Sequence, residues 1–101
     1  MPDETPREAP TECAEGTFEI VNQLGLHARA AARLVQIAAT FDAEVELEKD
    51  GQTVNAKSIM GVLLLCGQRG TKVTVIGVGP DGEAAVAAIG RLIADRFGED
   101  A

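Results

Sequence analysis

The chain has 101 residues, of which 46% are hydrophobic and only 3% aromatic, so it can form one small domain with an aliphatic core. Its formal net charge of −7 repels phosphate backbones and anionic headgroups, which argues against nucleic acid and membrane surfaces as partners. No apolar run approaches the roughly 18 residues that a membrane-spanning helix requires.

The two ends of the chain are expected to lie outside the domain. Residues 1–15 contain three prolines and five acidic residues, a composition typical of a disordered tail. The domain is expected over residues 16–98, with residues 99–101 as a short C-terminal tail. Because the first residues are acidic rather than basic or apolar, they do not resemble a targeting segment, and the expected location is the cytoplasm.

A change in hydrophobic period separates the first strand from the first helix. Alternating apolar residues predict a strand that starts at Thr17 and ends near Gly25. From Ala28 the apolar residues recur with the period of a helix, which predicts a helix over residues 28–40. Its apolar stripe comprises Ala31, Leu34, Val35, Ala38 and Phe41.

The middle of the chain predicts a β-hairpin. Residues 43–49 alternate apolar side chains with glutamates, as expected for a half-buried strand. Asp50-Gly51 is a pair that tight hairpin turns prefer, and residues 52–55 return as the second strand.

The last part of the chain predicts two helices with a strand between them. Ser58 is expected to cap a short apolar helix that ends before Gly67. Residues 71–78 are rich in β-branched side chains and predict a central strand. An apolar stripe that runs to Phe97 predicts a final helix, which Gly98 ends. The order β-α-β-β-α-β-α favours an α+β fold, with a mainly antiparallel sheet and the helices on one face.

The only histidine, His27, falls where the first helix is expected to begin. The free backbone amides of Ala28, Arg29 and Ala30 would then surround its ring, and the helix dipole adds about half a positive charge. This field favours the neutral ring, whose nitrogen can attack phosphorus. The same amides and the Arg29 side chain would hold the dianionic product, so the pattern favours reversible phosphate carriage.

The sequence gives less support for acyl transfer or metal binding at His27. No carboxylate, serine or second histidine stands nearby in the sequence to form an acyl-transfer triad. Cys13 and Cys66 have neither the spacing of a metal site nor that of a disulfide framework, so no metal and no cofactor is expected. From the residues alone, a solvated loop histidine remains an open alternative. Phosphate carriage requires a ring that is not sealed in the core and an approach that acidic side chains do not line.

Two stretches resemble a known family. GLHARAA at residues 25–31 and AKSIMGVLLL at residues 56–65, with the later strand start GTKV, resemble the histidine-containing phosphocarrier (HPr) family of the phosphoenolpyruvate-dependent phosphotransferase system. The resemblance covers about residues 17–98 in matching order and spacing. It implies an open-faced β-sandwich with three helices over a four-stranded antiparallel sheet, and it favours the carrier interpretation of His27.

The resemblance also implies a cycle of phosphoryl transfer. Enzyme I, charged by phosphoenolpyruvate, would place a phosphoryl group on Nδ1 of His27, which would pass it to an EIIA-type acceptor. Arg29 matches the family's phosphate-binding arginine. Such a protein is a stoichiometric carrier rather than an enzyme, and it is expected to be monomeric.

A second site is implied at the short helix. In many relatives a serine at the position of Ser58 is phosphorylated by HPr kinase/phosphorylase with ATP, although a plain helix cap also explains this serine. Ile59, Met60 and Leu63 are expected to be exposed there and to dock Enzyme I and the acceptors.

Two departures leave the branch of the family open. Relatives commonly carry proline where this chain has Ala30, and a small polar residue where it has Leu24. Leu24 and the NQLG and FDAEV stretches resemble the nitrogen-related branch, whereas KSIMGV resembles the kinase-regulated sugar branch. A further alternative is a regulatory binding module that acts through Ser58 without carrying phosphate.

Overall fold

The computed structural model describes residues 13–101, so the predicted tail up to residue 12 lies outside the described residues. The elements follow the expected order, and a 3₁₀ turn comes after the last helix. Their bounds are β1 (Cys13–Glu19), α1 (Ala28–Ala39), β2 (Glu44–Lys49), β3 (Gln52–Asn55), α2 (Ile59–Leu64), β4 (Lys72–Val78) and α3 (Gly82–Ala94), with the 3₁₀ turn at Arg96–Gly98.

The four strands form one antiparallel sheet in the order β1-β4-β2-β3. β4 pairs with both β1 and β2, in agreement with its β-branched composition. The turn between β2 and β3 has φ of +52° at Asp50 and +82° at Gly51, the signs that a type I′ hairpin requires. The hairpin predicted from Asp50-Gly51 is therefore present.

The helices pack on one face of the sheet, so the predicted open-faced sandwich is confirmed. Inward side chains of the two inner strands, such as Val45 and Val75, are buried beneath them. The predicted stripe is buried only in part: Val35 of α1 and Phe41, which follows the helix, pack against the core but remain partly exposed. The buried apolar residues of the helices are Ala30, Ala31, Leu34, Ala38, Val62, Ala85, Val86, Ile89 and Ile93.

Both ends of the domain differ from the sequence-based expectation. β1 begins at Cys13, so residues 13–15, which composition assigned to a tail, pair with β4 instead. α3 ends at Ala94 rather than continuing to Phe97, because Arg96 and Phe97 have φ of +57° and +55° and turn the chain. Phe97 is nevertheless fully buried, as its place on the apolar stripe predicts.

Within residues 13–101, none of the helices combines the length and the apolar character that crossing a bilayer demands.

Candidate functional site

The loop before α1 is hydrogen-bonded to a neighbouring loop and places His27 at the start of the helix. Residues 20–26 join β1 to α1 and lie beside residues 67–71, where the Leu26 amide donates to the Gly67 carbonyl at 2.8 Å. Gly25 in this loop has φ of +67°, and a side chain there would collide with the Gly67 carbonyl. Glycine is therefore required at this close approach, and the loop that ends at His27 is fixed.

His27 is the N-cap of α1. Its backbone is extended, and its carbonyl accepts the first intrahelical hydrogen bond from the Ala31 amide at 2.8 Å. Its Nδ1 accepts a hydrogen bond from the Arg29 amide at 3.3 Å. Because a backbone N–H can only donate, Nδ1 must present a lone pair, and the proton of the neutral ring lies on Nε2. The nitrogen at the mouth of the helix is thus the nucleophilic one.

The positive end of α1 is not neutralised by its own first turn. α1 has no acidic residue there, whereas α3 has Glu83 at the equivalent place. The first amides of any α-helix lack intrahelical acceptors, so those of Ala28 and Ala30 add their partial positive charge. The His27 side chain is 26% exposed. The ring is therefore not sealed in the core, and an anion can approach it from solvent.

Glu99 contacts the other nitrogen of the ring. Its Oε2 pairs with Nε2 of His27, and its Oε1 accepts a hydrogen bond from Nδ2 of Asn22 at 2.9 Å. Asn22 is fully buried and also donates to the Gly25 carbonyl at 2.9 Å. An acid does lie against His27, contrary to the expectation of an approach free of acids. It lies at Nε2, however, and not at Nδ1.

The environment of Glu99 favours its ionised form. Burial alone would raise the pKa of this carboxyl, since its side chain is only 13% exposed. Hydrogen bonds from Asn22 and His27, together with the positive charge of Arg29, outweigh burial and hold the pKa of Glu99 below its ordinary value of 4.5.

A C-terminal turn, residues 95–99, brings Glu99 to the ring. Arg96, Phe97 and Gly98 have φ of +57°, +55° and +78°, and a left-handed conformation costs a residue other than glycine about 1 kcal/mol. Burial of the Phe97 ring stabilises the turn by roughly 2–3 kcal/mol, which offsets this strain. Arg33 of α1 also donates to the Phe97 carbonyl. Glu99 is therefore a packed residue and not part of a tail.

His27, Arg29 and Glu99 share one surface cleft of about 750 Å³. Arg29 and Arg33 give it positive charge from α1, and Glu99 and Asp100 give it negative charge from the chain end. The other lining residues are Gln23, Leu24, Ala28, Gly98 and Ala101. The structure thus brings His27 and Arg29 together, as the sequence predicts.

Ser58 lies apart from this cleft, as the N-cap of α2. Its Oγ accepts a hydrogen bond from the Gly61 amide at 3.2 Å, so the predicted capping role is present.

The apolar residues beside Ser58 differ in exposure. Ile59 and Met60 are 40% and 64% exposed, as expected. Leu63 packs against the core, and the expectation that it is exposed is wrong. Leu64 is exposed in its place, at 63%, because one further residue rotates the side chain by about a quarter turn around a helix.

Sequence reasoning did not find Glu99 and Asn22. Glu99 is 72 residues from His27, so no local pattern connects them. The available signal is Phe97-Gly98, because a buried aromatic residue followed by glycine at a helix end indicates that the chain turns back over the core.

A family model, curated relatives and solved structures all point to the same protein family. A family model described as PTS HPr component phosphorylation site matches residues 14–95. Phosphocarrier protein HPr of Cupriavidus necator is 50% identical over 80 residues, which are 79% of this chain and 90% of that protein. Phosphocarrier protein NPr of Shewanella violacea is 41% identical over 85 residues, 84% of this chain and 93% of that protein. The crystal structure of HPr-C-His from Thermoanaerobacter tengcongensis has a TM-score of 0.84 at 45% identity, covering 87% of this chain and 99% of that one.

The family model, described as a phosphorylation site, together with a fold shared with solved HPr proteins, defines the class of this chain as a phosphocarrier protein. The family match spans most of the chain, and the fold agrees with that of a solved relative at high identity. The chain belongs to the HPr family of the phosphotransferase system, which confirms the resemblance drawn from its sequence.

The lowered pKa of Glu99 makes a prediction about stability and pH. The contacts of the ionised carboxylate contribute stability above pH 4.5, and this contribution is lost as the pH falls through the lower pKa of the folded state. We expect Glu99→Gln to lower the melting temperature by about 4 °C at neutral pH, and the difference from the unsubstituted protein to shrink as the pH falls below 4.5. Thermal unfolding at several pH values measures both.

The control is Glu15→Gln, the same chemical change on the exposed side of β1. A Glu99→Gln difference that persists unchanged at pH 3, or one matched by Glu15→Gln, would show that the carboxylate contacts do not stabilise the fold.

Proposed function

We propose that this chain carries a phosphoryl group on Nδ1 of His27, which it accepts from phospho-Enzyme I and passes to an EIIA-type acceptor. The observation that carries the proposal is the hydrogen bond from the Arg29 amide to Nδ1, which leaves a lone pair on the nitrogen that faces the helix end. A phosphoryl group attached there lies at the positive end of α1, where anions are stabilised.

The transfer step requires no cofactor. The Nδ1 lone pair of His27 attacks phosphorus, a new N–P bond forms, and the bond to the donor atom of Enzyme I breaks with its electron pair remaining on the donor. Arg29 lines the same cleft and can donate two parallel hydrogen bonds to the phosphoryl oxygens. The reverse displacement on the acceptor regenerates His27, so the protein acts as a stoichiometric carrier.

The wider setting belongs to the same proposal. The carrier is monomeric and cytoplasmic, and it contacts its partners through the exposed apolar side chains next to Ser58, namely Ile59 and Met60. Relatives named HPr and NPr both match the chain well. The chain therefore has support for a role in the sugar-related branch and for one in the nitrogen-related branch.

Phosphorylation of His27 is tested with labelled phosphoenolpyruvate and Enzyme I. We expect the full chain to take up an acid-labile label, and His27→Ala to take up none, because His27 is the only histidine. His27→Asn is the matched variant, since asparagine keeps a capping oxygen at the helix start while offering no phosphorylatable nitrogen. Absence of label on the unsubstituted protein, or label that survives in His27→Asn, would refute the carrier role.

Arg29 is expected to support the transferring phosphoryl group. Arg29→Glu places a negative charge in the cleft, and we expect it to slow transfer by about 100-fold or more, because loss of a single hydrogen-bond donor to a developing negative charge already costs that much in other enzymes. Stopped-flow or quench measurements of labelling give the rate, and circular dichroism checks the fold. Arg91→Glu, the same change on the exposed side of α3, is the control. Equal rates in the two variants would remove Arg29 from the site.

A second candidate function is regulation through Ser58, and its position as the half-buried N-cap of α2, next to the exposed Ile59 and Met60, favours it. The dipole at a helix start tolerates a phosphate, while about two added negative charges beside Ile59 and Met60 would oppose docking of a partner.

We expect HPr kinase/phosphorylase with ATP to attach an acid-stable label that Ser58→Asn abolishes, since Ser58 is the only serine of the chain. Asparagine preserves the cap, so loss of label in this variant does not reflect unfolding. His27→Asn serves as the positive control and should be labelled normally. Failure of the kinase to label the unsubstituted protein would leave Ser58 as a structural cap only.

A further inference from the structure

The two outer strands of the sheet, β1 and β3, differ in how open they are to a further strand. β3 has four residues, whereas β1 has seven. β1 pairs with β4 residue for residue, from Cys13 opposite Val78 to Glu19 opposite Lys72, so it has no bulge. Its sequence CAEGTFE contains neither proline nor lysine. Bulges, prolines and lysines are devices with which proteins block an edge, so β1 is the longer and less protected one.

The backbone of β1 has hydrogen-bonding groups on the side away from β4. In an antiparallel pair, the N–H and C=O groups of alternate residues point away from the partner strand. Between the described residues, no backbone hydrogen bond outside the sheet ladder reaches residues 13–19. Within residues 13–101, the outward groups of β1 are therefore available to a further strand.

A groove of about 640 Å³ lies beside this edge, between β1 and the first half of α3. Side chains of an added strand that point toward the helices would enter it, because strand side chains alternate between the two faces of a sheet. The groove shares no lining residue with the cleft that holds His27. It is lined by Cys13, Ala14, Glu15, Glu83, Val86 and Ala87, and its apolar part is therefore of a size for short side chains.

The charge along this edge is negative. Glu15 and Glu19 are exposed on the open face of β1, and Glu83 is exposed at the groove. Between described residues, none of the three forms an ion pair. Lys72 lies opposite Glu19 in the register but on β4, and β1 itself has no basic residue. Two copies of β1 side by side would bring only carboxylates to their seam, whereas a basic strand would complement it.

We propose that the outer edge of β1, with the groove beside α3, binds a basic extended segment of a partner protein as an added strand of the sheet. Lysine or arginine side chains at alternate positions of the segment pair with Glu15 and Glu19, and the short apolar side chains between them enter the groove. Main-chain hydrogen bonds supply affinity and the alternation supplies specificity, as in other cases of strand addition. Because the site is separate from the His27 cleft, its occupant and a phosphoryl-transfer partner need not exclude each other.

The probe is the synthetic peptide KVKAKVK, acetylated and amidated at its ends, added to the ¹⁵N-labelled full chain. We expect NMR shift changes concentrated in β1 and the first half of α3, with slower amide exchange along β1. The matched peptide is N-methylated at two consecutive central residues. Since N–H groups of consecutive strand residues point to opposite sides, one methyl group must remove a hydrogen bond to β1. We expect it to bind about tenfold more weakly at the same charge.

Glu15→Lys tests the charge pairing from the side of the protein. It replaces an attraction with a repulsion, so we expect it to weaken binding of KVKAKVK by about fivefold. Glu46→Lys is the matched control, because Glu46 lies in the same cross-strand row through Ile76, two strands from β1. That distance of about 10 Å exceeds the screening length at physiological salt, so we expect an affinity within about twofold of the unsubstituted chain. The NMR spectrum of each variant shows whether it is folded.

Binding at β1 with both differences supports the proposal. Equal affinities of the two peptides, or of the two variants, would show attraction by net charge alone and overturn it. Absence of binding, or shift changes confined to the His27 cleft, would do the same. If KVKAKVK binds only after residues 1–12 are removed, or if sedimentation shows two copies pairing through β1, the edge is occupied by this chain itself and the proposed partner segment is wrong.

Discussion

The Arg29 amide donates to Nδ1 of His27 across 3.3 Å, and the chemistry available at the site depends on that bond. If Nδ1 carried the proton instead, an N–H group would point at the helix amides, and two donors would oppose each other in the field of the dipole. The capping geometry therefore selects the ring nitrogen that can attack, before any partner arrives. An N-cap of serine or aspartate would satisfy the same amide, but neither offers a neutral nucleophile of comparable strength at physiological pH.

A thin domain holds this bond in place with contacts from distant parts of the chain. The loop before His27 is fixed by its hydrogen bond to Gly67, and the far face of the ring meets Glu99 from the chain end. The C-terminal turn includes left-handed residues other than glycine, a strain that persists only where burial opposes it, here burial of Phe97. Changes around Gly67 or in the C-terminal turn can therefore alter the geometry of a ring that neither segment adjoins in sequence.

Local sequence signals predicted the parts of the structure that local physics determines. The Asp50-Gly51 hairpin, the Ser58 cap and the order of helices and strands along the chain follow from turn chemistry, capping and hydrophobic period, and the structure contains each of them. The pairing of His27 with Glu99 could not be predicted in this way, because the contact depends on how α3 ends. The apolar stripe through Phe97 predicts that this ring is buried. It does not distinguish a helix that continues to Phe97 from a turn that follows a shorter helix.

The errors at Leu63 and at residues 13–15 have related causes. In a helix of six residues, side chains on more than half of the circumference are apolar, so periodicity cannot decide which of Leu63 and Leu64 faces the core. At the first strand, acidic and small residues alternate without a strong apolar signal. The pairing of residues 13–15 with β4 is set by the partner strand, and the composition of the edge strand itself has little influence on it.

His27 and Ser58 are both N-caps, yet their surroundings suit them to opposite effects of phosphate. Each caps a helix with no acid in its first turn. His27 opens into a cleft with Arg29 and Arg33, where positive charge would favour a phosphoryl group. Beside Ser58 the exposed groups include the apolar side chains of Ile59 and Met60, and a phosphate there would add charge to a surface whose value for docking lies in being uncharged. Both caps accept a hydrogen bond from a free helix amide, and what differs is the surface that the fold places around them: arginines beside His27 and exposed apolar side chains beside Ser58.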